Sequence, residues 1–199
     1  IRRQRQMCIR DRAKRGHAPA FDGGPRSWAR KPQYSFGWDW APVLPSSGIH
    51  RPIYLQRWSG GRIAWWRCHC IPGHDEWGVT VQVEMELSET GEYQLLGSLS
   101  HGAQRSSGQS KFFTEGRLHQ APLHFTVRNP DPWWPSTEGN PVLYELHLSL
   151  TLNGNTVHEV REHLGLRTVE WIEQPDEWGT SFHIRVNGRD LFCKGANWV

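Results

Sequence analysis

At 199 residues, with 37% hydrophobic residues and a mean hydropathy of −0.66, the chain is soluble, somewhat polar and long enough for one or two domains. No apolar run approaches the roughly 20 residues that span a bilayer, and the basic start is followed by no apolar h-region, so neither a membrane partner nor a secretory signal is expected. The net charge of +3 hides a balance of +8 over residues 1–31 and −5 over the remainder.

A basic arm on an acidic body raises nucleic-acid binding. The arm, however, has no aromatic interleaving before Phe21, and the body offers no basic face, so no nucleic-acid partner is expected. Residues 1–12 have no periodicity matching anything downstream and read as a sequence artefact or a disordered tail; they are set aside. Residues 13–29, with Gly23-Gly24-Pro25, read as loop.

The stretch Tyr34-Ser35-Phe36-Gly37-Trp38-Asp39-Trp40 is the first with a chemical signature. On a strand, Trp38 and Trp40 share one face and Asp39 points to the other. Indole rings suit the apolar faces of a sugar, and a carboxylate accepts two hydroxyl hydrogen bonds side by side. The competing reading is two core tryptophans with a surface aspartate between them. Ile53–Trp58 then reads as a short strand and Ser59-Gly60-Gly61 as a turn, closing a first β-sandwich unit over residues 30–60.

From Ile63 a second unit begins, running to residue 170. Ile63–Ile71 is its first strand, and Trp77–Leu87 alternates cleanly, with Val79, Val81, Val83, Met85 and Leu87 on one face. Tyr93–Leu99 follows, and residues 100–111, rich in Ser, Gly and Gln, read as an exposed loop. Leu123–Val127 alternates again. Val142–Leu152 is the longest regular strand, turning at Asn153-Gly154 into a return strand at Thr156–Leu164. About seven strands with turn signals between them point to an immunoglobulin-like sandwich.

Four cysteines are present: Cys8, Cys68, Cys70 and Cys193. Cys68 and Cys70 are too close on an extended strand to bridge comfortably. No second ligand pair follows Cys68-His69-Cys70 at zinc spacing, so no metal is assigned. Free thiols in a reducing compartment, the cytoplasm, is the simpler reading.

Between two strands lies Asn129-Pro130-Asp131-Pro132-Trp133-Trp134-Pro135, a stiff loop whose indoles suit either a sugar platform or packing. After His163-Leu164-Gly165-Leu166-Arg167-Thr168-Val169-Glu170, a hairpin turning at Asn187-Gly188 leads into Lys194-Gly195-Ala196-Asn197-Trp198.

Three of these motifs, in this order, resemble the β-mannosidases of glycoside hydrolase family 2. They are Arg30–Trp40 with Gly48-Ile49-His50-Arg51-Pro52-Ile53; Asn129–Pro135 with Leu143-Tyr144; and Gly165–Glu170 with the Lys194–Trp198 segment. The resemblance covers residues 30–199. It implies an all-β chain: the end of a jelly-roll sugar-binding domain (30–60), an immunoglobulin-like sandwich (61–170), then a linker and the first strand of a (β/α)8 barrel (171–199). Carried over by position, Trp38 and Asp39 contact the terminal mannose, while Asn197 and Trp198 lie near the site at the C-terminal end of a barrel strand. Trp133 and Trp134 become packing residues, and Arg167 and Glu170 a linker ion pair. His50 departs from the residues often found at its position in the family.

Retaining glycosidases need two carboxyl groups roughly 5–5.5 Å apart. In the family these are glutamates on later barrel strands, one in an Asn-Glu pair, and no Asn-Glu dipeptide occurs in this sequence. The expectation is therefore a catalytically incomplete piece of an exo-acting β-mannosidase that uses no cofactor and has a β-mannoside or manno-oligosaccharide as partner. The alternative is a stand-alone carbohydrate-binding sandwich.

Overall fold

The computed structural model describes residues 31–44, 46, 48, 49, 51–114 and 117–197. The readings made for residues 1–29, for His50 and for Trp198 lie outside these. The chain divides into two compact units, one ending at Leu55 and one beginning at Gln56.

In the first unit a 3-10 turn at Gln33–Ser35 leads into β1 (Phe36–Trp38), which pairs antiparallel with β2 (Ala41–Val43). Phe36 faces Val43 and Trp38 faces Ala41, so Asp39 and Trp40 form a two-residue connection. This corrects the expectation of one strand running through Trp40. Reversal after Trp38 lets Leu44 N–H donate to the Ser35 carbonyl at 3.0 Å and brings the Trp40 ring to 5.3 Å from that of Tyr34. Gly37, at φ +106°, sits where a side chain would meet Val43 Cγ2 at 2.9 Å. The strand expected at Ile53–Trp58 is also absent: these residues pair with nothing among the described residues, and Leu55 is 98% exposed. A strand exists only through its ladder partner.

The second unit contains the immunoglobulin-like sandwich. Its seven strands are β3 (Gly61–Ile71), β4 (Glu76–Leu87), β5 (Gly91–His101), β6 (Gln104–Thr114), β7 (Arg117–Arg128), β8 (Tyr144–Leu152) and β9 (Asn155–Leu164). They form one sheet in the order β3-β4-β7 and another in the order β6-β5-β8-β9. The alternation read in β4 is realised, with Val79, Val81, Val83, Met85 and Leu87 all buried. They meet Leu123 and Phe125 of β7, Tyr93 and Leu95 of β5, and Leu146, Leu148 and Leu150 of β8 in one core. Each such aliphatic side chain contributes about 1.5–3 kcal/mol by leaving water.

Residues 100–111 were expected as loop, but β5 runs to His101 and Gln104–Thr114 form the edge strand β6. Its less exposed positions run Gln104, Ser106, Gly108, Ser110, Phe112 and Thr114, so the period of two is present, but apart from Phe112, which packs on the core, it is written in polar or small residues that hydropathy does not register. The small size has a reason: a side chain at Gly108 would meet the His124 carbonyl oxygen at 2.9 Å, and Ser106 Oγ accepts from Thr126 N–H at 3.2 Å.

Both two-residue turns read from the sequence are present in left-handed conformation, Asn153-Gly154 at φ +49° and +84° and Asn187-Gly188 at +50° and +78°. These suit the primed turns that match strand twist. Beyond the sandwich, β10 (Val169–Asp176), β11 (Gly179–Val186) and β12 (Arg189–Leu191) form a three-stranded antiparallel sheet. Residues 194–198 were expected to end the first barrel strand; of the residues after β12, 192–197 are described and carry no pairing among the described residues. No helix among the described residues is long and apolar enough to cross a membrane.

Candidate functional site

The hairpin connection of the first unit presents the residues singled out for sugar contact. Trp38 and Trp40 are 44% and 51% exposed, and Asp39 is exposed between them. Asp39 has no hydrogen bond or ion pair among the described residues, so its two oxygens are open to hydroxyl donors. The reversal between β1 and β2 leaves Trp38, Asp39 and Trp40 at the exposed end of the hairpin. The tilted contact of the Trp40 ring with Tyr34 steadies the connection from one side. Asn197 is exposed in the unpaired segment after β12, in the second unit. Trp38 and Asp39 are neighbours at this hairpin, and Asn197 belongs to the second unit.

The second unit has a cleft of about 970 Å³ where the sandwich meets the linker, lined by Trp66, Cys68, Cys70, His163, Arg167 and Asn187 among others. Cys68 and Cys70 project from the same face of β3 with their sulfurs 3.8 Å apart, and both are free thiols. The Cys70 thiol is lowered to about 7, first by its hydrogen bond with Cys68 and further by the Arg167 backbone and charge, against burial. Cys68 moves the other way, because it holds the shared proton and is itself buried.

Arg167 does not pair with Glu170, as had been expected. Its guanidinium lies 4.6 Å from the Trp133 ring centroid and donates to the Gly165 carbonyl at 3.3 Å. Glu170 belongs to β10, opposite Arg185 of β11, whose pKa it helps to raise. The strand carries the carboxylate off with its own ladder. The cation meets an indole instead, an attraction of about 0.5–2 kcal/mol.

The rigid loop packs. Trp133 N–H donates to the Leu166 carbonyl at 2.8 Å, and a side chain at Gly165 would meet the Trp133 ring at 2.6 Å. Arg189 of β12 lies 4.3 Å from the Trp134 ring centroid and pairs with Glu138 at 3.1 Å. The two indoles, read as platform or packing, hold the linker and the three-stranded sheet against the sandwich. The sequence signal for this was the run of prolines around the tryptophans. The cysteine cleft was not legible, since it needs β3 and the linker side by side.

The model of the glycosyl hydrolases family 2 matches residues 64–167, more than half of the chain. The chain belongs to glycosyl hydrolase family 2. A second model, the family 2 galactose-binding domain-like module, matches residues 2–51 and so includes the basic stretch that was set aside. The family 2 chain is 37% identical over 194 residues to β-mannosidase B of Aspergillus fumigatus, covering 96% of the chain and 23% of that protein. It resembles the crystal structure of a β-D-mannosidase from Dictyoglomus thermophilum at 31% identity and a TM-score of 0.81, over 97% of the chain and 24% of that structure. An exo-chitosanase from Amycolatopsis orientalis shares the fold at 18% identity and a TM-score of 0.53, over 72% of the chain and 17% of that structure. The chain spans about a quarter of the length of the mannosidases it matches.

Proposed function

We propose that this chain is the part of a retaining exo-β-mannosidase that closes the sugar-binding domain and links it to the catalytic barrel. In this reading the boundaries fall near residues 60 and 170, and residues 171–199 lead into the barrel. The substrate is a β-mannoside or manno-oligosaccharide with a terminal non-reducing mannose. Asp39 accepts hydrogen bonds from its hydroxyls, Trp38 lies against its apolar face, and Asn197 and Trp198 stand near the reacting end.

The observation that carries the reading is the exposed Trp38-Asp39 pair, with a carboxylate uncommitted among the described residues. The β-mannosidase names of the similar proteins support mannose over the sugars of other family 2 members. Double displacement requires a nucleophile and an acid/base roughly 5–5.5 Å apart. Asp39 by itself cannot supply both, and the Asn-Glu pair that marks one of them in the family is not among the 199 residues.

The test is turnover by the purified 199-residue chain of an aryl β-mannoside. No release of aglycone above buffer is expected. Release that a mannose-configured inhibitor abolishes would place the catalytic carboxylates within these residues and overturn the reading.

A further inference from the structure

We propose that Cys68 and Cys70 form an exchangeable two-thiolate binding site for a soft divalent metal ion of the zinc and cadmium class. Two sulfurs each about 2.3 Å from a tetrahedral ion stand about 3.8 Å apart. The Cys68 and Cys70 sulfurs are 3.8 Å apart as they stand. An ion could therefore be bridged without moving β3, whereas a disulfide would require the sulfurs to close to about 2.05 Å.

Three features make the pair a site. Alternation along β3 puts both thiols on one face and sends His69 to the other. Both sulfurs line the cleft, so an ion has a way in and room for solvent ligands. Metal binding requires thiolates, and Arg167 lines the same cleft, so a cation stands near where their negative charge develops. Among the described residues no three His, Cys, Asp or Glu side chains are grouped to hold a metal. The protein's share is then two ligands, with the remaining positions taken by water or a small thiol, and the ion exchanges freely. This is a different object from a four-ligand structural zinc centre. On binding, each thiol gives up its proton to solvent, two metal–sulfur bonds form, and two metal-bound waters leave. No redox change occurs.

The probe is Cd(II), titrated into the reduced full chain while the ultraviolet thiolate-to-cadmium charge-transfer band is followed. A Cys8→Ser/Cys193→Ser chain is expected to give the band at one ion per chain. Adding Cys68→Ser or Cys70→Ser is expected to abolish it. Because Cys70 is buried and its variant can fail to fold, a second measurement uses the unaltered chain: alkylation at each cysteine is followed by mass spectrometry with and without Cd(II) or Zn(II). The metal is expected to slow modification of Cys68 and Cys70 and to leave that of Cys193 unchanged. Absence of the band in the Cys8→Ser/Cys193→Ser chain, or equal alkylation rates with and without metal, would overturn the proposal.

Discussion

The Asn187 side chain donates to the Trp133 carbonyl at 3.0 Å while its oxygen accepts from Thr168 N–H at 2.9 Å. One amide therefore joins the β11–β12 turn to both the tryptophan loop and the linker. Asn187 also occupies φ +50°, where a side chain other than Asn or Asp is disfavoured. Asn187→Ala should cost about 1–3 kcal/mol, from lost hydrogen bonds and backbone strain together. Asn187→Gly removes the strain and leaves only the bonds, so it should cost less. Urea unfolding of the three proteins checks this; equal stability of Asn187→Ala and the unaltered chain would dismiss the amide as a tie.

His158 of β9 links its sheet to β3 of the other. The Ile63 N–H donates to His158 Nδ1 at 3.3 Å, which requires the neutral ring, and burial together with the Arg62 charge lowers its pKa. A lowered histidine binds fewer protons folded than unfolded. Its contribution to stability is complete above the ordinary value of about 6.5 and is lost as pH falls from there through the folded value. Glu86 and Asp190, held low by Arg62 and Arg185, act in a lower window, below about 4.5. Thermal unfolding should therefore show a fall in stability between about pH 7 and 5 that His158→Gln largely removes. An identical fall in the variant would assign the effect elsewhere.

Much of the sandwich was legible because its core strands obey a simple period. β4 and β8 place an apolar residue at every second position, and Asn-Gly pairs mark two of the turns. What was not legible depended on partners distant in the chain. The middle of β6 is small at Gly108 because it lies against the His124 backbone of β7, and Ile53–Trp58, apolar enough to look like a strand, has no ladder to join among the described residues. The Asp39-Trp40 reversal has a turn residue in Asp39 but no glycine after it, so it lacks the Asn-Gly or Asp-Gly pair that marks a two-residue hairpin. Arg167 was assigned to a carboxylate three residues away, when the ring that receives it is Trp133, thirty-four positions earlier. For the candidate site, the residue types were readable, while the reversal at Asp39-Trp40 was not.

In an enzyme of the relatives' length carrying this segment, Asp39→Ala should lower kcat/KM for an aryl β-mannoside by about 1.5–3 kcal/mol, the scale of a hydrogen bond to a charged group. Asp39→Asn keeps the shape and loses the charge, and should fall between. An unchanged specificity constant in Asp39→Ala would remove this residue from the site.

The most direct measurement replaces the corresponding segment of a full-length family 2 β-mannosidase with residues 31–197 of this chain and assays a panel of aryl β-glycosides. If these residues are the mannose-contacting and linking part of such an enzyme, the chimera hydrolyses the β-mannoside and prefers it over the β-galactoside, β-glucuronide and β-glucosaminide. A chimera that folds, by circular dichroism and gel filtration, yet prefers one of the other sugars would contradict the account.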